Sequence, residues 1–257
     1  MAEGSSWRQT PTKQELAIHA VPFGAGVMAH RSKRLLTAAQ RRRLMALATT
    51  VRLGPGTTVF REGDPLSDIF VVGEGLVKAF REFASGRRRI VAFLFPRDVF
   101  GLAEHGRYVN TAHTVTQSLI YRILHESLAA ALQRDADLQF RFLCKITEKL
   151  REAQRQAILL GRPDAIGRVA MFLKMLEPDS ASTRDPLIAL PMRRTDIAEY
   201  LGLSLEAVSR ATRTLALRKI VAFVGRHSAR AGRALASLLA WALPRINNRS
   251  SPIVHRG

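Results

Sequence analysis

The chain has 257 residues, 47% of them hydrophobic and 24% charged, enough to bury the core of one or two domains. Its 40 Lys and Arg against 21 Asp and Glu leave a net charge of +19, which favours a polyanionic partner because counterions released from phosphates drive binding. The single cysteine, Cys144, excludes an intrachain disulfide and a cysteine-ligated metal site; no apolar run approaches the ~20 residues of a membrane span, so a cytoplasmic protein with no membrane role is expected.

Residues 1–34 mix Gly, Ser, Pro and basic residues with little periodicity and read as a flexible tail. Thr37 can cap a short helix through Leu47, with Leu44 and Leu47 facing inward. From Thr57 the β-prone runs TTVF, IFVV, LVKAF, RIVAFLF and LIYRI alternate with the turn segments EGD, VGEG, ASG and FPRD. This spacing predicts an antiparallel sandwich or barrel within residues 35–127, with Gly63, Gly75, Gly86 and Gly101 at its turns. His105, His113 and His125 form neither an HxH pair nor an HxxxH motif, so no metal or haem ligand set is assigned. No GxSxG, P-loop or telling carboxylate pair occurs, and an enzyme on a cupin-like sandwich would need a histidine and carboxylate cluster that the sequence lacks.

Residues 128–160 contain no Pro or Gly and are predicted to form one long helix. Leu143, Ile146, Leu150, Ala153, Ala157 and Leu160 recur at spacings of three and four, a heptad seam for a homodimer, with Lys149, Arg151, Glu152 and Arg155 beside it. A helix packed on its own domain is the alternative. Cys144, next to Leu143, is a candidate redox-responsive thiol, with a small apolar filler as the other reading.

Gly161, Arg162 and Pro163 end that helix and open a unit over residues 161–243. A helix from Ile166 to Leu176, the polar loop EPDSASTRDP and a short strand in LIALPM lead to RTDIAEYLGLSLEAVSRATR, Arg194 to Arg213. Ile197, Ala198 and Leu201 point inward from a first helix, Gly202 turns the chain, and Val208, Ala211 and Leu215 point inward from a second that Ser204 caps. Glu206, Ser209, Arg210 and Arg213 share the opposite face of the second helix, and Thr195 lies in the first turn of the first. Arginine can bond guanine in two places, glutamate can accept from cytosine, and serine can reach base or phosphate, so this face can read DNA. Past Ala231 an apolar helix, ALASLLAWAL, is predicted to end at Pro244, before a tail over 244–257.

The run RRTDIAEYLGLSLEAVSR resembles the DNA-binding motif of the Crp/Fnr transcription regulators, and Glu206, Ser209 and Arg210 match the recognition positions of the Fnr/FixK branch. FREGDPLSDIFVVGEGLVKAFREFASGRRRIVAFLFPRDVFGL resembles the β-roll sensor domain of the same family, and REAQRQAILLGRPDAIGRVAMFL looks like its FixK-type dimer helix with a hinge at Gly161. The resemblance implies an α+β fold: an N-terminal β-roll (a cyclic-nucleotide-binding-like jelly roll), a long dimerisation helix and a C-terminal winged helix-turn-helix. It further implies a homodimeric activator that reads a TTGAT-N4-ATCAA-like palindrome, works with RNA polymerase and controls microaerobic or nitrogen-fixation genes. Several positions depart from the family pattern. The N-terminal segment lacks the cysteines that hold an iron-sulfur cluster in Fnr-type sensors. Nucleotide-binding relatives carry a Gly-Glu pair and then an arginine followed by a small hydroxyl residue; here stand Phe100-Gly101-Leu102 and YVNTAHTV. No cofactor is therefore assigned, and a β-roll that senses a nucleotide or haem is the alternative. Lys219 stands where a glycine usually follows the recognition helix, Thr212 replaces an apolar residue, and the wing is shortened to VGRHSARAG.

Overall fold

The computed structural model describes residues 37–177, 187–224, 227–232 and 235. The expected tails, the polar loop at 178–186 and nearly all of the helix expected past Ala231 lie outside the described residues. The first helix, α1 (Ala38–Ala46), starts with a reciprocal cap: Thr37 Oγ1 accepts from the Gln40 N–H at 3.2 Å, and Gln40 Oε1 accepts from the Thr37 N–H at 3.0 Å. Leu44 is buried as expected. Leu47 is not: the helix stops one residue earlier, and the chain turns at once into a strand, leaving this side chain 40% exposed.

Ten strands follow: β1 (Ala48–Leu53), β2 (Thr58–Phe60), β3 (Asp68–Glu74), β4 (Val77–Glu82), β5 (Arg88–Leu94), β6 (Val99–Phe100), β7 (Ala103–Glu104), β8 (Arg107–Tyr108), β9 (Thr111–Thr114) and β10 (Ser118–Leu124). They build two four-stranded antiparallel sheets, ordered β1-β10-β3-β6 and β2-β9-β4-β5. The first strand lies ahead of the expected start at Thr57, and six consecutive residue pairs, Ala48–Ile123 to Leu53–Ser118, fix its register on β10. Apolar side chains of both sheets meet in a core that includes Phe70, Val77, Leu94, Phe100 and Ile120. Gly75 makes one obligatory turn: its φ is 85°, and a Cβ there would lie 2.4 Å from the Gln117 carbonyl oxygen.

The stretch expected as one helix over 128–160 is two. Helix α2 (His125–Arg134) ends at Asp135, whose extended backbone and side chain start α3 (Ala136–Leu160) by accepting from the Leu138 N–H at 2.9 Å. Helix propensity alone missed this break, because a short carboxylate competes for the backbone and caps a new helix. Helix α4 (Ala165–Leu176) is capped by Asp164, which accepts from the Gly167 N–H. Then come β11 (Leu187–Ala189), α5 (Arg194–Leu201), α6 (Leu205–Leu217), β12 (Val221–Phe223) and β13 (Ser228–Ala231). The short wing does form a hairpin: β12 and β13 pair, and β11 adds to β13 to make a three-stranded sheet.

The two halves share one hydrophobic cluster. Leu76, Phe80, Ile90, Phe93 and Phe95 of the β-roll pack with Phe172, Tyr200, Leu201, Val208 and Leu215 of the C-terminal unit. The Phe93 ring lies 5.1 Å from Tyr200 and 6.1 Å from Phe172, an aromatic contact with roughly 1.5–3 kcal/mol of apolar burial behind each ring. At its edge Lys78 Nζ meets Asp196 Oδ1 at 2.6 Å. Among the described residues no helix is long and apolar enough to cross a membrane.

Candidate nucleic-acid interface

Helices α5 and α6 meet at Gly202, which adopts φ 63° and ψ 39° and lets the Leu203 N–H reach back to the Ala198 carbonyl at 3.0 Å. Arg168, from α4, donates to the Leu201 carbonyl at 3.1 Å and so occupies one of the last acceptors of α5. Ser204 Oγ accepts from the Ala207 N–H at 3.1 Å and starts α6. Along α6, Val208, Ala211 and Leu215 are buried, together with Thr212, whose hydroxyl donates to the Ser209 carbonyl at 2.9 Å. A hydroxyl replaces an apolar group there without an unsatisfied donor.

On the other side of α6, Glu206, Arg210 and Arg213 are exposed and Ser209 is half-buried; Thr195 is exposed at the start of α5. Five of the six residues expected to meet DNA thus lie along α6 or at its cap, and Thr195 lies at the start of α5. The Glu206 carboxyl is held below its ordinary value by its own backbone N–H, by the Ser204 hydroxyl and by the Arg210 charge. It is an ionised acceptor at neutral pH. A guanidinium and a carboxylate one turn apart make a donor and an acceptor of opposite sign, the combination that distinguishes base edges in a major groove.

Two contributors escaped sequence reading. Asp196, in the first turn of α5, accepts from the Arg193 N–H at 3.0 Å and also binds Lys78 of the β-roll. Arg168 carried no signal beyond its charge, since the carbonyl it serves lies 33 residues away. Where α6 ends, Lys219 adopts φ 55°, taking the left-handed conformation that a glycine would take there.

On α3, Leu143 and Leu150 are 60% and 58% exposed, and Ala153 and Ala157 are also exposed. Ile146 is half-buried, as is Cys144. Leu160 departs from the expected seam: it packs against the C-terminal core. Phe140 and Ile158, absent from the expected seam, are exposed on the same helix. Arg155, expected beside the seam, is buried.

Aromatic rings pack closely in the interior of the β-roll. The rings of Phe60 and Tyr108 stack at 4.1 Å, Phe70 lies 5.3 Å from both Phe60 and Phe100, and a Cβ on Gly101 would stand 2.7 Å from the Phe70 ring. These rings take up the space between the sheets. His113, one of three histidines weighed as a metal or haem ligand, shares a 3.0 Å hydrogen bond with Thr58 and meets the Phe80 ring edge-on. Burial and the Lys78, Arg88 and Arg61 charges lower its pKa. Among the described residues no group of three His, Cys, Asp or Glu side chains converges to hold a metal.

Comparison with known proteins agrees with this architecture. Residues 50–135 match the cyclic nucleotide-binding domain model and residues 167–238 the Crp-like helix-turn-helix domain model. The chain is 31% identical to the transcriptional activatory protein AadR of Rhodopseudomonas palustris over 180 residues, 69% of this chain and 75% of that one. It is 33% identical to the nitrogen fixation regulation protein FixK of Bradyrhizobium diazoefficiens, over 68% of this chain and 75% of that one. The solved structure of FixK2 from Bradyrhizobium japonicum superposes with a TM-score of 0.69 at 32% identity, over 75% of this chain and 96% of that one. With a β-roll, a helix-turn-helix in register and relatives of this closeness, the chain belongs to the Crp/Fnr family of DNA-binding transcription regulators, beside the FixK proteins.

Proposed function

We propose that the protein is a homodimeric transcription activator, working in the cytoplasm with RNA polymerase, that reads a TTGAT-N4-ATCAA-like palindrome. Glu206, Ser209 and Arg210 contact bases, while Arg213, Ser204 and Thr195 contact bases or phosphates at the rim of the groove. The reading is carried by the open face of α6, where Glu206 and Arg210 stand opposite the buried Val208, Ala211 and Leu215. Dimerisation runs through Leu143, Ile146, Leu150, Ala153 and Ala157 of α3. Exposed leucines at a seven-residue spacing support it, as does the need for two reading heads to span half-sites about 34 Å apart. Control of nitrogen-fixation genes is supported by the likeness to the nitrogen fixation regulation protein FixK, and control of microaerobic genes by the Fnr/FixK pattern of the reading helix. The β-roll then serves as a packing platform for the reading head, which the aromatic filling between its sheets supports over a nucleotide-sensing role.

Selection of bound sequences from a random duplex pool tests this. The expected product is a palindrome with half-sites one helical turn apart; single half-sites, or no enrichment at physiological salt, would overturn it. Running the selection with and without oxidant tests Cys144 in the same experiment, since its oxidation beside the seam should lower recovery.

A further inference from the structure

The β-roll reaches the turn of the helix-turn-helix. The β4–β5 hairpin turns at Gly86, where the Gly86 N–H donates to the Phe83 carbonyl at 2.8 Å, and returns through Arg87, Arg88 and Arg89. Arg88 pairs with Glu82 at 3.2 Å, and on the facing strand Arg81 pairs with Glu62 at 2.6 Å. Arg89 is different. It is half-buried, and among the described residues it has no carboxylate partner. Its guanidinium lies against the turn of the reading head, so that a Cβ added to Gly202 would sit 2.1 Å from Nη1.

That position has a direct consequence. In a helix-turn-helix bound to DNA the first helix crosses the sugar-phosphate backbone while the start of the second enters the groove. Arg89 stands against Gly202 at the junction of the two, and its strand is held there. Lys78 binds Asp196 at 2.6 Å, and Phe93 of the same hairpin packs on Tyr200. A half-buried cation without an acid beside it lacks the compensation such groups ordinarily have, and a phosphodiester supplies it. Because the hairpin is already fixed on α5, little side-chain freedom is lost when the anion arrives.

We propose that Arg89 is a phosphate contact made by the β-roll itself, adding one backbone interaction per protomer beside each half-site. The inference rests on the DNA-reading role of α6, but its signature is separate. A phosphate contact changes the salt dependence of binding on any sequence, whereas a base contact changes discrimination between sequences.

The test is the slope of log affinity against log salt for the full-length protein, on a duplex carrying TTGAT-N4-ATCAA and on a random duplex of equal length. For Arg89→Gln the magnitude of the slope should fall by about 1 per protomer on both, with affinity at physiological salt falling about 5-fold per contact. Arg89→Lys should keep the slope, since the charge remains. Arg87→Gln, which removes an equal charge from the exposed hairpin turn away from Gly202, should leave it nearly unchanged. An unaltered slope in Arg89→Gln, an equal fall in Arg87→Gln, or a fall in Arg89→Lys as large as in Arg89→Gln would each overturn the proposal. Loss confined to the palindromic duplex would also overturn it, by making Arg89 part of base reading.

Discussion

Lys149 Nζ lies 2.8 Å from Asp98 Oδ1, so the long helix α3 is pinned to the β-roll by a charge pair on a different side from Leu143 and Leu150. The Asp98 side chain is 3% exposed and its other oxygen accepts from the Phe95 N–H at 2.8 Å. Removing the ammonium would take a charge partner from a buried carboxylate. Lys149→Met is expected to cost about 2–3 kcal/mol in equilibrium urea unfolding, below the fully buried range because Lys149 keeps some contact with water. Adding Asp98→Asn should recover part of the loss, since the amide carbonyl still accepts from Phe95. If the double variant lost the full sum, the two groups would not be coupled.

Lys149 also shows where sequence reading stops. Periodicity grouped six residues of α3 on one face, of which Leu143, Leu150, Ala153 and Ala157 are exposed. It did not reveal that Lys149 would meet the chain's own β-roll or that Arg155 would be buried, because Asp98 lies 51 residues upstream and only the folded sheet brings it near. The turn at Gly202, the Ser204 cap and the split faces of α6 were legible, since each depends on neighbours within one or two helical turns. The break at Asp135, the β1–β10 pairing and the Lys78–Asp196 bridge were not, for they are decided by a local competition for backbone hydrogen bonds or by tertiary contact.

A charge placed on the exposed stripe should break the proposed dimer and leave the folded chain intact. Leu150 is more than half exposed in one protomer, so Leu150→Asp disturbs no core of its own chain. In the paired state the carboxylate would be desolvated against its twin. Sedimentation should show self-association weakened by about 100-fold or more, ~3 kcal/mol, with unchanged helix content and lost binding to the palindrome. A variant that stays dimeric would move the interface elsewhere.

Lys219 offers a gain. Its φ of 55° is one that a side chain with a Cβ adopts at a cost of about 1 kcal/mol, and the Ile220 N–H already closes the helix end on the Leu215 carbonyl at 3.0 Å. Lys219→Gly should therefore stabilise the fold by about 0.5–1 kcal/mol, a rise of roughly 2 °C in melting temperature. A fall would mean that the lysine side chain contributes more than its backbone costs.

Asp68 sets part of the acid limb of stability. Burial opposes its ionisation, but hydrogen bonds from Arg122, at 2.8 Å, and from Ser67, at 2.6 Å, outweigh that and hold its carboxyl below the ordinary value of 3.8. A carboxyl with a depressed folded pKa stabilises the protein above its unfolded pKa, and the contribution is lost as pH falls through the folded value. Asp68→Asn should therefore be less stable than the parent above pH ~5, by about 1 kcal/mol because Arg122 is half exposed and screened. The difference should shrink below pH ~4. A constant difference across the range would remove ionisation as its cause.

The last prediction separates reading from mere attraction. Arg210 is exposed on α6 one turn after Glu206, and its charge helps to keep that carboxyl ionised. Removing it takes away a two-pronged donor, while Glu206 stays an ionised acceptor held by its own backbone N–H and the Ser204 hydroxyl. Arg210→Ala is expected to lose about 1–3 kcal/mol on the palindromic duplex, measured by fluorescence anisotropy at fixed salt, while binding to random duplex changes little. Base preference in a repeated selection should relax at the position Arg210 contacts and nowhere else. Equal losses on specific and random DNA would reduce Arg210 to a phosphate contact and shift base reading to Glu206 and Ser209. Glu206→Ala measured on the same pair of duplexes then decides between them: a loss confined to the palindrome keeps α6 as the reading helix, and equal losses from both variants would end that assignment.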